Sequence, residues 1–232
     1  MSNILNFLFP PRCPACRRIM EDETELIHNE CRKAFRIIKE PRCFKCGRHM
    51  ADPEETICPD CKKKGHGYSY GFAVFEYNDT AQKAMIDYKK NGWRKNGDFF
   101  AAEAVKNFGR QIKNMKPEVL IPVPVTDKKL KRRGFNQSEY LAERIGESLD
   151  IPVDAGILIR RSGKAQKELS RQERTVNALS AFECMHETEY KRVCIIDDVY
   201  TTGSTIEGCS RALMSAGVKE TGFIVIFSSD LF

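Results

Sequence analysis

Residues 192–217, RVCIIDDVYTTGSTIEGCSRALMSAG, decide the fold. Val193, Cys194, Ile195 and Ile196 form a short unbroken apolar run, the pattern of a strand buried on both faces, and it ends in two carboxylates, Asp197 and Asp198. Thr201, Thr202, Gly203, Ser204 and Thr205 then crowd hydroxyls around one glycine. Ile206, Cys209 and Leu213 recur at helical spacing until Gly217, so a hydroxyl-rich loop is expected at a helix N-terminus.

Such a loop offers unpaired backbone N–H groups, the positive end of a helix dipole and side-chain donors, which together suit a phosphate monoester. Acids at the carboxyl end of a parallel strand face the crevice where open α/β sheets bind ligands. There they accept hydrogen bonds from ribose hydroxyls or hold a water on Mg²⁺. No Lys follows the glycine, which excludes a Walker A loop, and no G-x-G-x-x-G occurs, which disfavours a dinucleotide fold. The alternative is an ordinary capped strand-to-helix loop. Read through from Ile195 to Thr205, the segment resembles the 5-phosphoribosyl-1-pyrophosphate (PRPP) motif of type I phosphoribosyltransferases.

A chain of 232 residues has room for one α/β domain and a small module besides. The net charge of +6 is concentrated, because residues 128–174 hold 12 Lys/Arg against 7 Asp/Glu. No apolar run approaches the roughly 18 residues of a membrane span. The opening MSNILNFLFPP lacks a signal peptide's basic start and cleavage site. A cytoplasmic protein without membrane insertion is expected.

Seven of the 10 cysteines precede residue 62, in metal-type spacings: Cys13-x2-Cys16, His28-x2-Cys31, Cys43-x2-Cys46 and Cys58-x2-Cys61. Thiolate with imidazole is a zinc ligand set, and full sets of four leave no position for a catalytic water, so two structural zinc ions are expected. The spacing leaves open whether pairing is sequential or cross-braced, and whether His28 is a ligand or a surface histidine. Cys194 and Cys209 fall on the core strand and helix and read as small buried hydrophobes. Lys62 to Gly67, KKKGHG, reads as a linker.

Beyond it, YSYGFAVFEY (68–77) has strand composition, with Asn78 or Asp79 placed to cap a helix that Lys89, Lys90 and Gly92 end. Lys89 and Lys90 serve equally as dipole-complementing surface residues or as ligands. A second helix carries Ala101, Ala104, Phe108 and Ile112 on one face. The run VLIPVPV reads as a buried strand whose prolines force its end out of the ladder. The basic run at 128–133 is a solvated loop or, from its place after a strand, the rim of a crevice. Asn136 and Glu139 cap a further helix, a strand lies around Ile157–Ile159, and the polar stretch that follows reads as a mobile flap. GFIVIF is the last strand, so strands and helices alternate as in a mostly parallel sheet.

The paired cysteines, Tyr88-Lys89-Lys90-x-Gly92, Pro122-Val123-Pro124, Arg133-Gly134-Phe135-Asn136-Gln137 and the PRPP loop together resemble the ComF/ComFC family. His28 departs from that pattern, standing where relatives generally carry a cysteine. The resemblance implies a zinc module over 1–66 and, over 67–232, a type I phosphoribosyltransferase fold, a mostly parallel sheet flanked by helices. It implies PRPP with Mg²⁺ at Asp197, Asp198 and the loop Thr201, Thr202, Gly203, Ser204 and Thr205, and pyrophosphate at the Val125–Thr126 turn with Arg133. It also implies a part in natural transformation, with single-stranded DNA and competence or recombination proteins as partners. Residue chemistry supports a phosphate site beside a basic face. Three readings follow: a phosphoribosyltransferase of unspecified acceptor, a non-catalytic single-stranded-DNA accessory protein, and a regulator that senses PRPP.

Overall fold

The computed structural model describes residues 10–22, 24–161 and 181–229. Four parallel strands form the central sheet: β1 (Tyr70–Glu76), β2 (Val119–Pro122), β5 (Arg192–Tyr200) and β6 (Glu220–Ser228), in the order β1–β6–β5–β2. A short antiparallel pair, β3 (Leu158–Arg160) and β4 (Phe182–Cys184), lies outside it. The helices are α1 (Pro59–Lys64), α2 (Asp79–Lys90), α3 (Arg94–Met115), α4 (Asp127–Arg133), α5 (Gln137–Leu149) and α6 (Ser204–Ser215). The architecture is the α/β one expected, with a parallel sheet, flanking helices and an N-terminal cysteine cluster.

Alternation along β5 assigns its two faces. Cys194 and Ile196 join the core cluster that holds α2, α3 and α5, while Val193 and Ile195 join the one that holds α6. Ile195 lies between Ile121 and Phe223 in the ladder, so the middle of the sheet is apolar on both sides. Cys194 and Cys209 are fully buried and burial pushes both thiols up, in keeping with a packing role.

Several elements differ from the sequence reading. β5 does not stop before its acids: the ladder with β6 continues to Tyr200, so Asp197 and Asp198 lie within the strand. KKKGHG is not wholly a linker, because α1 runs to Lys64 and closes on Gly65 in the left-handed conformation. The basic run forms α4, which Gly134 ends in the same way. Asn78 caps α2 by accepting from the Ala81 N–H at 2.9 Å, and Asn136 caps α5 by accepting from Ser138 N–H at 3.1 Å. The polar stretch read as a flap lies, over 162–180, outside the described residues.

Residues 10–61 form two knuckles of one design. PRCPACRRIM at 11–20 and PRCFKCGRHM at 41–50 share their proline, arginine, cysteine and methionine positions. They share hydrogen bonds too: Cys13 N–H to Arg18 O at 2.9 Å, and Cys43 N–H to Arg48 O at 2.8 Å. The first knuckle packs into the α2–α3 core and the second into the α6 core, so the two straddle the sheet. The chain between them lies antiparallel along the outer edge of β1. Ile38 N–H donates to Val74 O and Glu76 N–H to Arg36 O, both at 2.9 Å, which covers an edge that would otherwise template pairing.

Two buried carboxylates fasten the first knuckle to the helices, Asp87 to Arg17 at 2.8 Å and Glu103 to Arg32 at 2.6 Å. Phe35, at the end of that knuckle, is 4% exposed and meets Phe75, Phe99, Phe100 and Phe227. Phe35→Ala is therefore expected to destabilise the chain by about 3–5 kcal/mol. Urea unfolding checks this, and an unmoved midpoint would mean that the knuckle is tethered and not packed.

Candidate functional site

In a parallel sheet every carboxyl end opens on the same side. At that side the segments after β1, β2 and β5 converge: α2 with Lys89, the turn at Val125–Thr126 leading into α4, and the loop 201–205. Asp197 and Asp198 stand at the centre, 9% and 8% exposed. Asp197 accepts from Ser138 Oγ and from the Asp198 N–H, each at 2.9 Å, and Asp198 meets Lys89 Nζ at 2.7 Å. Burial, and then the Asp198 charge, push the Asp197 carboxyl up to about 7.

Besides Lys89, further cations lie near the acids, with Lys129 and Arg133 within reach of the Asp198 charge and Arg160 near Lys129. Burial lowers the Lys129 ammonium, with Arg160, Arg133 and Lys89 adding repulsion and Asp198 opposing it. Burial likewise lowers Arg133, whose Nη1 donates to Gln137 Oε1 at 2.5 Å. Thr126 is the residue from which α4 starts, with Val125 half-buried before it. Sequence reasoning named Arg133, weighed Lys89 and placed Lys129 at the crevice only as one of its charge run, but it missed Arg160 and Ser138. Lys129 is indistinguishable from its neighbours in a charge run, and Arg160 belongs to a strand remote in the chain.

The loop 201–205 has the form of an anion cradle. Gly203 adopts φ +81°, and a Cβ there would lie 2.5 Å from Tyr200 Oη, so both the backbone and the space require glycine. The main-chain N–H groups of Thr202, Gly203, Thr205 and Ile206 donate to no group among the described residues. Thr202 and Ser204 share a hydroxyl hydrogen bond at 2.8 Å, and Thr201 and Thr202 are exposed. Gly203, not a hydroxyl residue, is the N-cap of the helix, and Thr202 Oγ1 accepts from the Ser204 N–H at 3.4 Å.

Phe135 and Tyr140 are packed against neighbouring side chains. Phe135 meets Tyr88 edge-on at 5.5 Å under the Arg94 guanidinium, and Tyr140 donates to Asp98 at 2.8 Å.

The metal-type residues form two sequential sets. Cys13, Cys16, His28 and Cys31 make one and Cys43, Cys46, Cys58 and Cys61 the other, with the ligand atoms of each set within 4.8 Å of one another. Thiolates about 2.3 Å from a tetrahedral zinc lie about 3.8 Å apart, and Cys46 Sγ to Cys58 Sγ is 3.8 Å. His28 Nδ1 is 3.3 Å from Cys16 Sγ. The donor sets fit structural zinc.

A parallel α/β sheet with a double zinc ribbon defines the class. Residues 4–62 match the double zinc ribbon domain and 130–230 the phosphoribosyl transferase domain. The chain is 31% identical over 204 residues to Competence protein ComFC of Streptococcus pneumoniae, covering 87% of each. The chain belongs to the ComF/ComFC family. It is also 37% identical over 121 residues to Competence protein F of Haemophilus influenzae, about half the length of that relative (53%) and 50% of this chain. To the DNA utilization protein YhgH of Escherichia coli it is 32% identical over 102 residues, 44% of this chain and 45% of that one. Among solved structures, the purine phosphoribosyltransferase of Pyrococcus horikoshii aligns with a TM-score of 0.37 at 19% identity, over 56% of this chain and 83% of that one.

Elemental analysis is expected to read about two zinc per chain. A reading of one that His28→Ala leaves unchanged would remove the first centre.

Proposed function

We propose that this chain binds PRPP at the carboxyl end of its sheet and transfers the phosphoribosyl group, as part of the handling of DNA taken up by the cell. The observation that carries the reading is the grouping of three chemistries at one sheet end: unpaired amides at 202, 203, 205 and 206, two buried acids, and cations near them. The 5-phosphate belongs at the amides, where uncharged donors and the helix dipole meet it. The ribose hydroxyls belong against Asp197 and Asp198, and the pyrophosphate among Lys89, Lys129, Arg133 and Arg160, beside the Val125–Thr126 turn.

In this reading the bond from ribose C1 to the pyrophosphate oxygen breaks, and its electron pair leaves with the pyrophosphate. Lys89, Lys129, Arg133 and Arg160 stabilise the charge that gathers there, while the acids hold the cationic ring. The acceptor supplies the new bond to C1. Mg²⁺, when bound, would neutralise pyrophosphate oxygens. Two carboxylates, one of them already paired with Lys89, make no complete cage, which fits an ion held largely by the ligand's own phosphates. The relatives' names, competence proteins and a DNA utilization protein, support the place in DNA uptake. Zinc-type cysteine sets, which need reduced thiols, support a cytoplasmic setting.

A second reading, a non-catalytic single-stranded-DNA accessory protein, rests on Lys128, Lys131 and Arg132. They are exposed on α4 and form no ion pair among the described residues. Its mark is DNA affinity that falls steeply with salt and survives loss of the acids.

Calorimetry with Mg²⁺ tests the first reading. Asp197→Asn with Asp198→Asn should abolish most PRPP binding, and Thr202→Val or Thr205→Val should each cost about 1–3 kcal/mol through the phosphate. No PRPP binding by the zinc-replete chain, or undiminished binding by the double Asn variant, would defeat it.

A further inference from the structure

The second zinc ribbon touches the phosphate loop through its charges. Asp60 lies in α1 between Cys58 and Cys61, so the knuckle that those two ligands close determines where its carboxylate sits. That carboxylate meets Arg48 Nη2 at 3.4 Å and Lys64 Nζ at 2.9 Å. Both cations reach onward to the loop. Arg48 Nη2 donates to Thr201 O at 3.4 Å and Lys64 Nζ to Thr202 O at 3.1 Å. Arg48 is 8% exposed and its guanidinium lies 5.3 Å over the Tyr200 ring. Tyr68, just beyond the ribbon, joins Tyr200 by a hydroxyl hydrogen bond of 2.8 Å beneath Gly203.

A trans peptide points its C=O and N–H in opposite directions. Drawing the Thr201 and Thr202 carbonyls towards the ribbon therefore turns the N–H groups of Thr202 and Gly203 away from it. These are two of the amides that donate to no group among the described residues.

The first ribbon is an internal control. Its equivalent pair, Arg18 and Glu30, has the same ion-pair chemistry at 2.8 Å, but both side chains are exposed, 67% and 64%. Beyond that pair Arg18 reaches only Cys16 of its own knuckle. One knuckle design thus carries a solvated ion pair in one copy and, in the other, a half-buried ion pair against the loop.

We infer that Asp60, Arg48 and Lys64 are positioning residues for the phosphate loop, so that the second zinc centre sets the affinity of the loop for a phosphate monoester. The inference rests on the loop being the 5-phosphate site proposed above. None of the three needs to touch the phosphate.

Asp60 gives the decisive sign. If only net charge mattered, removing a carboxylate beside a phosphate site would tighten binding. If Asp60 holds the two cations on the loop, Asp60→Ala weakens ribose 5-phosphate binding, by about 3- to 10-fold. Calorimetry on the full zinc-replete chain in Mg²⁺ buffer measures this, with inorganic pyrophosphate as the second probe. Pyrophosphate affinity should stay unchanged, zinc content should stay at two, and Glu30→Ala should behave as wild type.

Asp60→Ala that binds ribose 5-phosphate as tightly as wild type, or loses both ligands equally, overturns the inference and leaves the site reading standing. Wild type that binds no ribose 5-phosphate overturns both. Should Asp60→Ala lose zinc, Lys64→Met decides without any ligand. Its Thr202 and Gly203 amides should show lower NMR order parameters than in wild type, while those of β6 keep theirs. Unchanged order at the loop rejects the positioning role.

Discussion

Two neighbouring carboxylates at the buried end of a parallel strand must be compensated, because an unpaired buried charge costs several kcal/mol. The helices around Asp197 and Asp198 are arranged to do this. Tyr88 Oη donates to Gln137 O at 2.8 Å, joining the C-terminal turn of α2 to the N-terminal turn of α5. The next residue of each helix then meets an acid, Lys89 for Asp198 and Ser138 for Asp197. One buried hydrogen bond therefore registers both compensating groups. The same packing brings Gln137 Oε1 to Arg133, so that cation is tied to the element that satisfies the acids.

Metal bonds do elsewhere what apolar burial does here. Residues 10–61 contribute few large core side chains, mainly Met20, Ile27, Phe35, Ile38 and Met50, too few to hold two knuckles unaided. Zinc closes each knuckle, and the chain between them takes up the free edge of β1. Duplication then has unequal outcomes. The Arg17 site, at φ +64°, sits where the second copy has Gly47. A Cβ at Gly47 would lie 2.6 Å from the Ala73 N of β1, so the second knuckle approaches the sheet more closely than a side chain allows.

Much of this was legible because the signals are local. The apolar run of β5, the hydroxyl loop and the paired ligand spacings each fall within a dozen residues, and strand period, helix caps and tetrahedral chemistry act on that scale. The end of β5 was not legible. Acids and Thr/Gly residues read as loop, whereas pairing with β6 and the stacking of Tyr200 on Phe223 at 5.4 Å carry the strand on. α1 and α4 are short, charged helices whose periodicity is lost in runs of Lys and Arg, and their left-handed glycine caps were the usable signal. Arg160 and Arg48 enter the site through tertiary packing, which no local pattern encodes. The repeat of PRCxxCxRxM was present in the sequence and, compared between its two copies, would have drawn attention to Arg48.

The two anion subsites proposed above differ in kind, and in that reading the difference would order the ligand. At 202–206 the donors are uncharged amides and hydroxyls, whose attraction depends on alignment and is little screened by salt. Among Lys89, Lys129, Arg133 and Arg160 the donors carry full charges, partly open to solvent, and their pull falls with ionic strength. A monoester dianion can be satisfied by the first set, whereas a pyrophosphate needs the second. In the proposed reading the acids between them repel a third phosphate and accept hydroxyls, so a molecule with a phosphate at one end, a pyrophosphate at the other and a diol between would be read in one orientation, through the kinds of donor present and without any base-specific contact.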